Sequence, residues 1–156
     1  MAKDITDNVA LASVYRLHAT GFRKSAEILG ATMETKKDGT PAKLSCIPVY
    51  FLVSHATELL LKSALLKRGF TDADLKKRDC RHNLNSLLTA LQKMGVVVTP
   101  ESLRLINGLH KQHLSHALRY TVLVDNGEKT YLPPLTLIFT MLDELLMLTR
   151  ISTQGV

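Results

Sequence analysis

Three of the six histidines in this 156-residue chain, His110, His113 and His116, recur at intervals of three. On a helix, at about 100° per residue, His110 and His113 stand about 60° apart and could share a metal ion. Zinc needs a third ligand, and no carboxylate falls on that face nearby, so neither a metal site nor a cofactor is expected. A second constellation runs from Phe51 to Leu65, where His55, Glu58 and Lys62 interrupt a long apolar stretch. Glu58 and Lys62 are one helical turn apart, so their charges face one another and some further polar group. Two more polar clusters follow, Arg81-His82-Asn83-Leu84 and Leu118-Arg119-Tyr120. The chain contains no phosphate-cradling glycine loop, no Gly-x-Ser-x-Gly elbow and no His-Glu-x-x-His pair.

Charge gives a direction without a site. Twenty Lys and Arg stand against fourteen Asp and Glu, a net charge of +6 that favours a polyanionic partner such as RNA or a nucleotide. The densest basic stretch, Lys76-Lys77-Arg78 with Arg81, is the candidate RNA contact. It contains an aspartate and no aromatic residue, whereas single-strand binding surfaces interleave cations with stacking rings. A solvated basic loop is the competing reading.

Length and composition bound the rest. One domain spanning residues 1–156 is expected, with 46% hydrophobic and 22% charged residues in the ordinary globular range. Two cysteines, Cys46 and Cys80, exclude a disulfide framework and a Cys-only zinc site. No run of eighteen apolar residues occurs and the N-terminus lacks a signal-like stretch, so the expectation is a soluble, cytoplasmic protein with no membrane partner.

Helical periodicity places the candidate residues. Val9, Ala12, Tyr15, Ala19, Phe22, Ala26 and Leu29 step by three and four, with Asp7 as N-cap and Gly30 as stop. Residues 31–43 read as a loop. A second helix starts near Ser45 with Pro48 in its first turn, is apolar nearly all round from Leu59 to Leu66, and ends at Gly69. A basic loop leads to a third at about residues 82–94, with Leu84, Leu87, Leu88, Leu91 and Met94 inward. Thr99-Pro100-Glu101 opens a fourth, carrying the histidines, which runs to about Ala117. Residues 120–132 have hairpin chemistry, with Asn126-Gly127 at the turn, and are read as a loop with strand tendency. Pro133-Pro134 opens the last helix, whose Leu135, Ile138, Phe139, Leu142 and Leu145 face inward. The architecture is an all-α bundle of about five helices.

The order of these motifs resembles a known family. His55-Ala-x-Glu58-Leu-x-Leu-Lys62-x-x-Leu-x-x-x-Gly69, then His82-Asn83-Leu84-x-x-Leu87, then Arg119-Tyr120, is similar to the HEPN (higher eukaryotes and prokaryotes nucleotide-binding) helical domains. Asn83 stands where many relatives carry Asp. The resemblance implies an all-α bundle that often forms a homodimer. Many members are metal-independent endoribonucleases that use an Arg-x(4–6)-His motif at the dimer cleft, often as toxins beside an antitoxin-type protein partner. Others lack the motif and serve as binding modules for a nucleotide, nucleic acid or protein.

Arg104 and His110, with five residues between them, fit that motif. Eight Arg, six His and three allowed spacings give about 0.9 accidental matches in a chain of this length, so position on the fourth helix is what supports the pair. Six residues turn them about 120° apart, which means two copies would have to converge across a two-fold axis. There His110 would move protons and Arg104 would stabilise charge on the phosphate. A half-buried histidine beside a surface arginine is the alternative.

Dimerisation is also expected because Leu59-Leu60-Leu61 and Leu145-Leu146-Met147-Leu148 exceed what one neighbour covers. Glu58 is expected to be a buried structural carboxylate bonded to one or more of Lys62, His82 and Arg119, because an unpaired buried charge is strongly unfavourable. With His55 these residues make up a polar core.

Overall fold

The structure, a computed structural model, describes residues 2–77, 80–114 and 132–150. Its helices are α1 (Ala2–Gly30), α2 (Ile47–Leu66), α3 (Asp72–Lys76), α4 (Leu84–Lys93), α5 (Pro100–Leu114) and α6 (Leu135–Leu148), with a single 3-10 turn, Leu44–Cys46, ahead of α2. Among the described residues there is no strand, and the one β-bridge joins Thr35 to Pro41. The protein is an all-α bundle.

The bundle is organised around α2. Fifteen of its twenty residues are buried, including every residue from Ala56 to Leu66. Its apolar character therefore belongs to an interior position, although by length and composition alone it could cross a membrane. Helix α1 lies along it through Ala12, Ala19 and Ala26, which recur every seven residues and are at most 1% exposed. Alanine at that spacing keeps one face of α1 thin, so the two backbones approach closely. Ser63 of α2 donates a 2.7 Å hydrogen bond to the Ala12 carbonyl. On other sides α2 meets α4, α5 and α6, which supply Leu84, Leu87, Leu88 and Leu91, Leu105, Ile106 and Leu109, and Ile138, Met141, Leu142 and Leu145.

Local signals end several elements. Gly69 and Gly95 take φ of 98° and 82°, the left-handed geometry that stops α2 and α4. The Asn83 side chain caps α4 by accepting from the Ser86 N–H at 2.9 Å. The start of α5 is capped twice. Thr99 Oγ1 accepts from the Ser102 N–H, and Glu144 of α6 accepts from the Thr99 N–H at 2.7 Å and from both hydroxyls. Burial works to raise the Glu144 pKa, but those donors hold it below the usual glutamate value. At its far end α6 is tied to α2, where Arg68 donates to the carbonyls of Ala64 and Leu148.

Several expectations are corrected. Helix α1 begins at Ala2, so Asp7 lies inside it and is exposed. Nothing from Lys3 to Thr6 breaks a helix, and propagation adds a hydrogen bond per residue without further nucleation. Val9 and Leu29, expected on its inner face, are 49% and 45% exposed at its two ends. The stretch between α2 and α4, expected as a basic loop, holds α3. Thr71 and Asp74 close a reciprocal capping box there. Met94 is 40% exposed, because α4 ends at Lys93 and turns away. Leu59, Leu60 and Leu61 are no more than 8% exposed within the single chain, so they are not a surface awaiting a partner. Exposed apolar side chains lie elsewhere, among them Val14, Leu17 and Ile28 on α1, Val97 between α4 and α5, and Met147 on α6. Residues 115–117 at the expected end of the α5 segment, and 120–131 of the expected hairpin, lie outside the described residues.

Candidate functional site

One buried carboxylate gathers two helices and a loop. Glu58, on the inner face of α2, is 1% exposed. Its Oε1 accepts from Lys62 Nζ at 2.5 Å, one turn along the same helix. Its Oε2 lies 2.8 Å from His113 Nε2 on α5. His82 Nδ1, just ahead of α4, lies 3.1 and 3.4 Å from the two oxygens. Burial alone would raise the Glu58 pKa, but bonds from His113 and Lys62 outweigh it and hold the carboxyl down at about 2. At neutral pH it is an anion inside the core. Lys62 also donates to the Arg81 carbonyl at 2.8 Å, fastening the loop that carries His82.

Sequence reasoning left His113 out of this group. In the sequence His113 stands out only beside His110 and His116, as a metal-ligand candidate. The signal was the spacing of Leu105, Leu109 and His113, four apart on the face of α5 that the structure buries. The ligand atoms of Glu58, His82 and His113 lie within 4.8 Å of one another, a spacing that a metal ion could bridge. The Lys62 ammonium on the same carboxylate disfavours a dication there, because two cations would share one buried anion. As the group stands, the carboxylate is satisfied by its own side chains.

The other polar residues are distributed differently. His55 is half-buried among aromatics, edge-on to Phe22 at 4.6 Å between ring centres and parallel to Phe51 at 6.3 Å. Arg104 is exposed and pairs with Glu101 on its own helix. His110 is half-buried, and its Nδ1 is buried with no partner among the described residues. Burial first, and then the neighbouring His113, push the His110 pKa below its usual value. Lys76 and Lys77 are tied to Asp72 and Asp74 at 2.5 and 2.6 Å, whereas Arg81 is exposed and makes no ion pair among the described residues. Arg78, Arg119 and His116 lie outside the described residues.

The architecture defines a helical bundle with a buried carboxylate–imidazole–ammonium cluster beneath the turn between α3 and α4. No protein-family model, curated protein or solved structure matches the chain.

Proposed function

We propose that the protein is a HEPN-like homodimer and a metal-independent endoribonuclease, with Arg104 and His110 of both protomers meeting at a dimer cleft. The observation that carries this reading is the state of His110. Burial first, and then His113, push its pKa below the usual histidine value and so favour the neutral imidazole, the form that can accept a 2′-hydroxyl proton. Arg104 stands on the exposed side of α5, held only by the surface carboxylate of Glu101. An exposed pair of this kind is worth at most about 1 kcal/mol, so a phosphate can take the guanidinium over. Asn107 and Lys111, also exposed on α5, extend the polar face. A dimer is required because the two side chains diverge on one helix. An RNA substrate and two free cysteines suit the cytoplasm, and a nuclease of this type would be restrained by an antitoxin-type protein partner.

A second reading, a non-catalytic dimer that binds a nucleotide, nucleic acid or protein, is favoured by one observation. Arg104 turns to Glu101 and not toward His110. An RNA-cleavage assay in EDTA separates the two. Cleavage that drops at least a hundredfold in both Arg104→Ala and His110→Ala supports the nuclease. Cleavage that survives in both variants, or that EDTA abolishes, overturns it, and a wild-type chain with no cleavage leaves the binding module.

A further inference from the structure

The buried ion pair does more than fill the core, because it grips one surface dipeptide at two points. Lys62 Nζ holds the Arg81 carbonyl, and Glu58 holds His82 Nδ1. The His82 side chain is nevertheless 44% exposed, while the carboxylate behind it is 2% exposed. A carboxylate that accepts from Nδ1–H fixes both the tautomer and the orientation of an imidazole and leaves the lone pair on Nε2. No described group bonds His82 Nε2. Arg81, the neighbouring residue, is the one cation among the described members of this basic stretch without a carboxylate partner. Lys76 and Lys77 both have one.

We infer that Arg81 and His82 form an acid–base and phosphate-binding pair acting on RNA phosphodiesters, with Glu58 and Lys62 as the positioning residues beneath it. His82 Nε2 takes the proton of a ribose 2′-hydroxyl. The 2′-oxygen forms a bond to phosphorus, and the bond from phosphorus to the 5′-oxygen breaks. The departing oxygen keeps the electron pair and takes a proton from water, and the imidazolium later returns its own proton to solvent. The products are a 2′,3′-cyclic phosphate and a 5′-hydroxyl. The Arg81 guanidinium offers forked donors to the non-bridging oxygens as charge builds on them. The choice of RNA rests on the function proposed above, whereas the carboxylate–imidazole geometry does not.

The test uses the full chain and a single-stranded RNA oligonucleotide in EDTA, with folding of each variant followed by circular dichroism. His82→Asn removes Nε2 and leaves a side-chain N–H able to donate to Glu58, so the core contact survives. A positioned acid–base group contributes about 10²–10⁴ in rate, so His82→Asn is expected to lower kcat at least a hundredfold with KM little changed. Arg81→Ala is expected to lower kcat as well as raise KM, because its donors meet charge that builds in the transition state. A purely structural His82 would leave kcat within threefold and the acidic limb of the pH–rate profile intact, and that result overturns the proposal. Loss of activity in His82→Asn with activity retained in Arg104→Ala and His110→Ala removes the α5 cleft and keeps this site. The reverse pattern keeps the cleft and removes this site. A wild-type chain that does not cleave RNA overturns both as catalysts. An NMR titration of the wild-type chain with uridine 3′-monophosphate checks the pair without any His82 variant. A saturable shift of the His82 ring proton that Arg81→Ala abolishes is expected, and no shift beyond a matched salt control overturns phosphate binding here.

Discussion

Glu58 and His113 are 55 residues apart in the chain and 2.8 Å apart in the fold, joined by a buried hydrogen bond between carboxylate and imidazole. That bond ties α2 to α5. Because His82 and Lys62 share the same carboxylate, α2, α5 and the turn ahead of α4 are held at one point. Loss of the charge at this point is felt by all three.

Glu58→Gln is expected to destabilise the fold by about 3 kcal/mol, because it leaves the buried Lys62 ammonium without its counter-charge. Urea denaturation of the two proteins side by side checks this, and a difference under about 1 kcal/mol would mean the cluster is energetically slack.

Acid should undo the same contact. The folded-state pKa of Glu58, about 2, lies below the unfolded value, so its contribution is fully present above about pH 5 and is lost as pH falls toward 2. Stability followed from pH 6 to pH 2 should decline for wild type, and the part due to this residue, roughly 3 kcal/mol, should be missing from the curve of Glu58→Gln.

Packing between α1 and α2 should be intolerant of size. Ala19 is 1% exposed in the middle of the alanine seam, so Ala19→Leu is expected to cost about 1–3 kcal/mol through overpacking. Leu17, 70% exposed on the same helix, serves as the control, and Leu17→Ala should change the melting temperature little.

The α5 cap makes a separate prediction. Glu144→Gln weakens acceptors used by the Thr99 N–H and by two hydroxyls, and Thr99→Ala removes one of those hydroxyls together with its bond to the Ser102 N–H. Each is expected to lose about 1 kcal/mol in thermal denaturation. The double variant should lose less than the sum, since the two residues share one hydrogen-bonded network.

RNA cleavage at the α5 cleft should have a distinctive acidic limb. His110 must be neutral to act as base, and its pKa is pushed below the ordinary histidine value by burial and by His113. The acidic limb should therefore lie at lower pH than an ordinary histidine base would give. A rate still climbing between pH 7 and 8 would exclude His110 as the base.

The fold was legible in the sequence because the signals that make helices are local. Apolar steps of three and four residues, Pro100 behind Thr99, and glycines at 69 and 95 act within one or two turns and leave little choice of element. The short α3 was not legible, because although Thr71 and Asp74 carry its capping box, five residues give too little period to stand out against a basic stretch. The charge of Glu58 inside an apolar helix announced that it would need partners, and Lys62, four residues on, was fixed by the helix itself. The remaining partners were decided only by tertiary packing. His82 lies 24 residues away and His113 lies 55, and no local rule brings either to α2. Burial of Leu105, Ile106 and Leu109 against α2 sets the rotation of α5, and that rotation turns His113 inward and Arg104 out to solvent. The hydrophobic effect fixes which face of a helix is buried, and only the finished packing fixes which polar groups are buried with it.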